Sequence, residues 1–507
     1  MLRRDFLKGT VGVIAVGVTG NASAQELKLP AHLLDIIRVN FCQGEPKTRR
    51  NVYTLYNGNP NHPIIEAYRQ GVAVMRGRAP SDPLSWDYQA NIHGTTLAQT
   101  SWPPGAPFAT CEHNTNFFLS WHRMYVYFFE RIVRASSGYT DFALPYWNYG
   151  KLGEAALPPP FRNPTTGATP NSLYDGTRGS GVNAGNSLPA SAVDPSMALS
   201  ATAWASFQST LEGTPHGPVH VSIGGNMGNF PGAGHDPIFW LHHCNIDRLW
   251  EKWLSQGGGR ADPIGDSTWM HNEYTFVDEC RQFVRMTGAE IIQTATQLHY
   301  QYDDPQNCIP LYLVAASLAG ARLVAAKVRV LTSFLLARNV KISPAQDRIE
   351  LRPEDPNTKE RLSKDLAVDV LARSADSGVR YSLTFEGVKT DAPADGYFEV
   401  YVGLPRDAKP DYRGPYYAGN LALFGTDAQS RQSMKSMHAG HATNGITIEI
   451  DTTDLLKRLV ERGLAPNDLS VTLVPMGVGK EQGERFAFDP KSVPQIDAIV
   501  LTAVKEE

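Results

Sequence analysis

His216 and His220 stand four residues apart, so a helix would place both rings on one face, where they could bind one ion together. They open the run HGPVHVSIGGNMGNFPGAGHDPIFWLHHCNID, residues 216–247, which a Gly-rich turn divides in two. In its second part Asp236-Pro237 is an N-cap and first-turn signal, and the helix it starts is expected to run through Trp253. Phe239, His243, Ile246 and Trp250 share one face of that helix, which sets a histidine into an apolar wall. A single His there would be an ordinary hydrogen-bonded core residue. A His-x-x-x-His pair and the doublet His242-His243 make it a ligand candidate instead.

A second group lies upstream in CEHNTNFFLSWHRMYVYFFERIVR, residues 111–134. Phe118, His122, Tyr125, Phe129 and Ile132 recur at helical spacing and place His122 on a buried stripe. His113 comes nine residues earlier, half a turn off that face on a continuous helix, so it must reach the site from the segment before the helix. Asn114 or Asn116 is the expected cap. His93, in the phrase NIHG, falls in the loop-rich stretch 77–112.

Two sets of three neutral imidazoles, His93, His113, His122 and His216, His220, His243, include no thiolate and no compulsory carboxylate. Imidazole suits Zn, Cu, Fe and Ni. A hydrolytic zinc or two-metal site usually adds an Asp or Glu that holds the ions and helps activate water. Its absence, with aromatic residues crowding the helices, favours a redox ion, and copper is the expected one. An exported zinc hydrolase is the alternative on these residues alone.

The elements that must position these groups come from a chain of 507 residues, room for roughly two to four domains. Nine Trp argue for packed globular structure, and a net charge of -4 supplies no basic field for nucleic acid or an anionic membrane. Five Cys exclude a disulfide scaffold and permit one or two bridges. Residues 1–24 read as an export signal: Arg3-Arg4-Asp5-Phe6-Leu7-Lys8, a weakly apolar run from Val11 to Val18, then Ala22-Ser23-Ala24 before the cleavage point. That is the twin-arginine layout, which carries proteins already folded. The mature chain is expected to begin near Gln25 and to reside in an oxidising compartment, periplasmic or secreted.

From residue 25 to 304 the pattern is mainly helical with long Pro/Gly/Asn loops; Ala31–Val39 is a short apolar segment, Pro63–Arg76 a helix and residues 150–200 a long loop region. Residues 305–378 are expected to connect two domains. Their apolar stretch 309–338 is interrupted by Arg322, Lys327 and Arg329, so it is not expected to span a membrane. The charged run Arg348–Lys364 reads as a linker or solvated face. From 379 to 507 the period becomes two, at Tyr381, Leu383, Phe385; Phe398, Val400, Val402; Ile446, Ile448, Ile450; and Val471, Leu473. That spacing predicts a small β-sandwich. His438 and His441 read as part of a solvated loop, with metal transfer as the other reading.

The chain closely resembles the type 3 copper family of tyrosinases, catechol oxidases and haemocyanins. H-x8-H at His113 and His122, HGPVH with DPIFWLHHCNIDRLW, and ALPYWNY at 143–149 carry the resemblance over roughly residues 30–305. It implies a four-helix bundle around a dinuclear site of two copper ions, with His93, His113 and His122 on the first and His216, His220 and His243 on the second. It assigns His242 a packing role. It also implies a small phenolic substrate and dioxygen as co-substrate, so that o-diphenols leave as o-quinones and monophenols can be hydroxylated at the ortho position. An oxygen carrier of the haemocyanin kind is the binding-protein alternative.

Further residues take roles from the same resemblance. Phe230 matches the gate phenyl that plant members hold over the second copper, and Glu212 the carboxylate that orients a water near the ions. Cys111-Glu112-His113 matches the Cys-x-His in which fungal tyrosinases and molluscan haemocyanins join sulfur covalently to the ring, a thioether between Cys111 and His113; Cys42, Cys244, Cys280 and Cys308 then remain, with three possible pairings. Where good hydroxylators often carry Asn after the first His of the second region, this chain has Gly217, which implies stronger o-diphenol oxidation than monophenol hydroxylation. Tyr300-Gln301-Tyr302 resembles the motif that closes the plant catalytic domain against an N-terminal Arg, here expected to be Arg38. The segments YSLTFEGVKTDAPADGYFEVYVGLP and YYAGNLALFG resemble the C-terminal domain of latent plant polyphenol oxidases, which implies an intramolecular cover over the site.

Overall fold

Two long helices, Phe118–Ser137 and Pro237–Ser255, form the spine of the helical part. The computed structural model describes residues 46–304, 328–344, 346–351, 379–435, 445–463, 470–479 and 486–506. The export signal, Ala31–Val39, Arg38, Cys42, Cys308, His438 and His441 lie outside these residues. Asp236 caps the second long helix as its sequence predicts, its side chain accepting from the Ile238 amide at 3.0 Å. Arg178, fully buried, binds both oxygens of Asp236 and fixes that helix start to the preceding loop. The first long helix ends at Gly138, whose φ of 70° is the left-handed conformation a glycine takes without strain.

Pro63–Arg76 packs against Phe118–Ser137, and a bare α-carbon brings them close: a Cβ at Gly71 would stand 2.8 Å from Val133 Cγ1. The spine is joined by aromatic rings, with Trp240 lying flat on Phe129 and tilted against Tyr125. Each of these side chains is fully buried. At roughly 1.5–3 kcal/mol per large apolar side chain removed from water, this stack is a major source of the rigidity that the site needs.

Neither Asn114 nor Asn116 caps the first long helix, contrary to the sequence expectation. Asn114 sits at a φ of 55°, and Asn116 is taken by Trp204, whose indole N–H donates to its Oδ1 at 2.7 Å. The Thr115 hydroxyl accepts from the Phe117 amide instead. A second difference is the helix Trp86–His93 inside the stretch read as loop, capped by the Ser85 hydroxyl, which accepts from the Tyr88 amide.

The strand Lys47–Arg49 pairs in parallel with Tyr300–Tyr302 and so closes the helical part at its two ends. Arg49 is held there, while the expected Arg38 lies outside the described residues. The Arg49 guanidinium lies 3.5 Å from the Tyr300 ring centroid and donates to Glu130, Asp247 and the Tyr302 hydroxyl.

The C-terminal part is two four-stranded antiparallel sheets, as the period-two pattern predicts. One runs Tyr417–Ala422, Gly396–Val402, Val471–Gly477, Ile349–Leu351, and the other Ile446–Asp451, Val379–Val388, Gln495–Glu506, Val328–Lys341. Register sets Leu383 beside Leu501 and Val400 beside Leu473, keeping the apolar positions on common faces. Strands Val328–Lys341 and Ile349–Leu351 fall within the expected connector 305–378, so this connector already contributes to the sheets. Polar contacts join the sheets to the helices, among them Ser191 with the Tyr397 hydroxyl at 2.6 Å, Asn420 to the Ser191 carbonyl at 2.8 Å and Ser206 to Asp451 at 2.7 Å. Among the described residues no helix is long and apolar enough to cross a membrane.

Candidate metal centre

Four helices deliver the imidazoles. His93 ends Trp86–His93, and His122 lies one turn into Phe118–Ser137. His220 lies on Gly217–Ile223, directly after His216, and His243 is on Pro237–Ser255. His113 arrives from the segment before its helix, as its spacing requires. All six rings are buried.

The rings form two groups. His93, Cys111, His113 and His122 present donor atoms within 4.8 Å of one another, and so do His216, His220, His242 and His243. His93 Nε2 and His113 Nε2 stand 3.4 Å apart, and His220 Nε2 and His243 Nε2 are likewise 3.4 Å apart. That is the spacing two ligands take around one tetrahedral ion with bonds of roughly 2.0–2.1 Å. The groups adjoin each other through His122 and His243, whose rings stack with centroids 4.2 Å apart.

Hydrogen bonds behind the rings set which nitrogen is free. Nδ1 of His93, His122, His216 and His220 meets the carbonyl oxygen of Phe230, Phe118, Glu212 and Met227, at 3.2, 2.7, 3.3 and 2.8 Å respectively. Nδ1 of His113 meets Glu212 Oε1 at 3.2 Å. A proton held on Nδ1 leaves the Nε2 lone pair for a metal. His216 Nε2 is buried with no hydrogen bond, a donor atom left without a protein partner. Burial, with neighbouring imidazoles adding to it, holds His93, His122, His216 and His243 well below the usual histidine range, and puts His220 at about 3. These five rings are therefore neutral at ordinary pH, the form that binds a metal ion. Neither group includes a carboxylate among the described residues, and a soft or borderline redox ion fits such a set of imidazoles with one sulfur beside them.

Beneath the site, Asp247 lies one turn beyond His243, and Arg123 directly follows His122. Arg123 Nε donates to Asp247 Oδ1 at 2.5 Å, while the Tyr300 and Tyr302 hydroxyls donate to Oδ2 at 2.6 and 2.5 Å. Burial alone would raise the Asp247 carboxyl; Arg123 and Arg49 outweigh it and hold the group below the usual carboxylate range. One ionic network thus ties the helices that bear His122 and His243 to the paired strands Lys47–Arg49 and Tyr300–Tyr302.

Other expected site residues differ in placement. Glu212 accepts from the Asn114 amide at 2.7 Å as well as from His113, so it braces a histidine and a backbone turn. Phe230, expected over the second group, packs instead on the first, 4.8 Å from His93 and 5.3 Å from His113 between ring centroids. Its carbonyl is tied to His93, which draws the ring to that side. Against the second group stands Phe424, from the loop after strand Tyr417–Ala422, stacked on His220 at 4.2 Å, beside Phe239 on His243 and Phe118 on His216. Cys111 Sγ is buried and lies 3.3 Å from Nε2 of His122, a different ring from the one expected. His242 is buried against Tyr149 and His216, and neither of its nitrogens has a hydrogen bond in the protein. Only His243 of the doublet stacks on the first group. Among the described residues no disulfide joins Cys111, Cys244 or Cys280.

With this geometry in hand, the comparisons with known proteins are specific. The common central domain of tyrosinase matches residues 83–189 and 177–256, the polyphenol oxidase middle domain residues 263–308, and a domain of unknown function residues 336–484. Tyrosinase HcTyr1 of Hahella sp. (strain CCB-MM4) is 31% identical over 476 residues, covering 85% of this chain and 95% of that protein. The chloroplastic polyphenol oxidase of Malus domestica is 27% identical over 495 residues, 85% of this chain and 77% of that protein. Among solved structures, latent apple tyrosinase aligns over 92% of this chain and 98% of its own with a TM-score of 0.57 at 23% identity. A recombinantly expressed latent aurone synthase aligns over 92% and 91% with a TM-score of 0.59 at 22% identity, so both share the fold, sheets included. Two neighbouring clusters of buried imidazoles on a matching fold, and a tyrosinase relative spanning nearly its full length, lead to one conclusion: the chain belongs to the tyrosinase family of copper-dependent phenol oxidases.

Proposed function

We propose that His93, His113 and His122 hold one copper ion and His216, His220 and His243 the other, and that the enzyme oxidises o-diphenols in preference to hydroxylating monophenols. When bound, the copper pair supplies the electron exchange between dioxygen and the phenol. The observation that carries the assignment is the convergence of these rings, most of them with Nδ1 hydrogen-bonded behind and Nε2 turned inward. The protein's own work is to fix donors, exclude water and align an aromatic substrate against aromatic walls. Glu212 keeps His113 oriented, and its second oxygen is the place for a water near the reacting phenol. Phe230 gates the side nearer the first ion. Gly217 offers no amide to polarise that water, which supports the diphenol preference. The test is oxygen uptake on matched phenols and catechols; equal initial rates would reject the preference.

The C-terminal sheets are proposed to cover the site in the intact chain. Phe424 supports this by filling the space beside His220, and two serines latch the same face: Ser430 accepts from the Phe230 amide and Ser433 from the Thr95 amide, each at 3.3 Å. Limited proteolysis after residue 304 should raise the rate on a small catechol; an unchanged rate would rule out shielding.

Two covalent matters belong to the same reading. The Cys-x-His spacing supports a thioether from Cys111 to His113, although the histidine nitrogen nearest the sulfur belongs to His122. Mass analysis of the peptide carrying Cys111 and His113 decides: the link removes two hydrogens, and an unchanged mass rejects it. Residues 1–24 are proposed to direct twin-arginine export; changing Arg3 and Arg4 to Lys should retain the protein in the cytoplasm, and continued export would reject the route.

A further inference from the structure

Gly217 has backbone angles of φ -60° and ψ -48°, ordinary helical values that any residue adopts. Its conformation therefore does not call for glycine, and a helix gains nothing from one. The neighbourhood does call for it. A Cβ built at Gly217 would stand 2.6 Å from the Cβ of Ala422, whereas its next neighbour, the Glu212 carbonyl oxygen of its own helical part, would be a comfortable 3.6 Å away. The obstruction comes from the C-terminal sheets.

Carbon atoms of packed side chains sit roughly 3.5–4.0 Å apart. A methyl group at 217 would thus require a displacement of about an ångström, and Ala422 has no rotamer with which to give way. Ala422 is the last residue of strand Tyr417–Ala422 and stands two residues before Phe424. Any shift that frees position 217 moves the segment that presses Phe424 onto His220. The same face repeats the device: a Cβ at Gly228 would be 3.1 Å from the Ala394 carbonyl, and one at Gly181 would run into the Gly479 carbonyl.

We propose that the bare α-carbon of Gly217 is the seat that lets the C-terminal domain close, so that residue 217 governs latency sterically, apart from any effect on water at the site. The inference rests on the reading of the C-terminal domain as a cover. It separates two explanations of one residue, because Ala at 217 cannot polarise a water yet must obstruct closure as Asn does.

The test uses the full, copper-loaded chain. The latency ratio is the rate on a small catechol after limited proteolysis divided by the rate before it; hydrogen exchange of the 417–424 amides reads closure without turnover. In Gly217→Ala the ratio falls by about tenfold or more, the scale of an overpacked contact, and the amides exchange faster. Ala422→Val, which enlarges the other side of the contact and leaves the copper-bearing helices untouched, does the same. Ala422→Gly combined with Gly217→Ala restores both readouts. If cleavage fails to activate the wild type, the cover reading falls and this inference with it. If cleavage activates the wild type but both Gly217→Ala and Ala422→Val keep its ratio and exchange, the cover stands and the role of Gly217 is overturned. Failure of Ala422→Gly to restore closure in the double variant also overturns it.

Discussion

The Phe424 ring lies over the His220 ring with centroids 4.2 Å apart and planes 23° apart, joining the loop after strand Tyr417–Ala422 to a proposed copper ligand. A phenol stacking on that imidazole would meet Phe424 first. Replacing Phe424 with Ala should therefore raise the rate of the intact chain on a small catechol several-fold, by less than full cleavage does, because the sheets still cover the mouth. Oxygen uptake before and after proteolysis measures it, and an intact rate equal to wild type would remove Phe424 from the cover.

Asp247 receives hydrogen bonds from Arg49, Arg123, Tyr300 and Tyr302, all buried. Removing its carboxylate in Asp247→Ala leaves two buried guanidinium groups short of a counter-charge, a loss of roughly 3–5 kcal/mol. Tyr302→Phe removes one neutral donor and should cost only about 1–2 kcal/mol. Thermal or denaturant unfolding of the metal-free proteins gives the order, which reverses if the network is not ionic in origin.

The buried imidazoles make the metal-free protein acid-labile. His93, His122, His216, His220 and His243 have folded pKa values below the unfolded value of about 6.5, so the unfolded chain binds more protons once pH falls below it. Their neutral burial is undisturbed above about pH 6.5 and destabilises the fold progressively as pH drops toward their folded values, by about 1.4 kcal/mol per unit for each ring. Glu251, at about 7, and Asp262, at about 6, are raised by burial and act in the opposite sense, favouring the fold at low pH. Five rings outweigh two carboxyls, so urea midpoints of the metal-free chain should fall from pH 7 to pH 5. Copper, binding only the folded deprotonated ligands, should shift the midpoint up and flatten that slope. A midpoint that rises on acidification would contradict the cluster's neutral state.

Gly217→Asn should raise the phenol-to-catechol rate ratio when measured on proteolysed protein, where the collision with Ala422 no longer matters. An unchanged ratio there would reject the influence of position 217 on hydroxylation.

Much of the centre is legible in the sequence because its ligands sit at helical spacings beside strong caps: His216 with His220, Asp236 before His243, and His122 on an apolar stripe. The sheets are legible for the same reason, their strands alternating cleanly at Tyr381, Leu383 and Phe385. The helix Trp86–His93 is not, because every residue in it except Asp87 is buried and no polar face marks its period. Arg49 on the Tyr302 hydroxyl, Phe424 beside His220 and Ser430 on the Phe230 amide are also hidden. Each joins residues far apart in the chain, and local spacing carries no information about such pairs.

The most direct test of the central claim is to quantify copper in the purified chain against its cupric electron paramagnetic resonance signal. Two coppers per chain with little signal, as coupled paired ions give, is the predicted result. A single copper per chain, or two that both contribute full signal, would contradict six imidazoles holding one dinuclear centre.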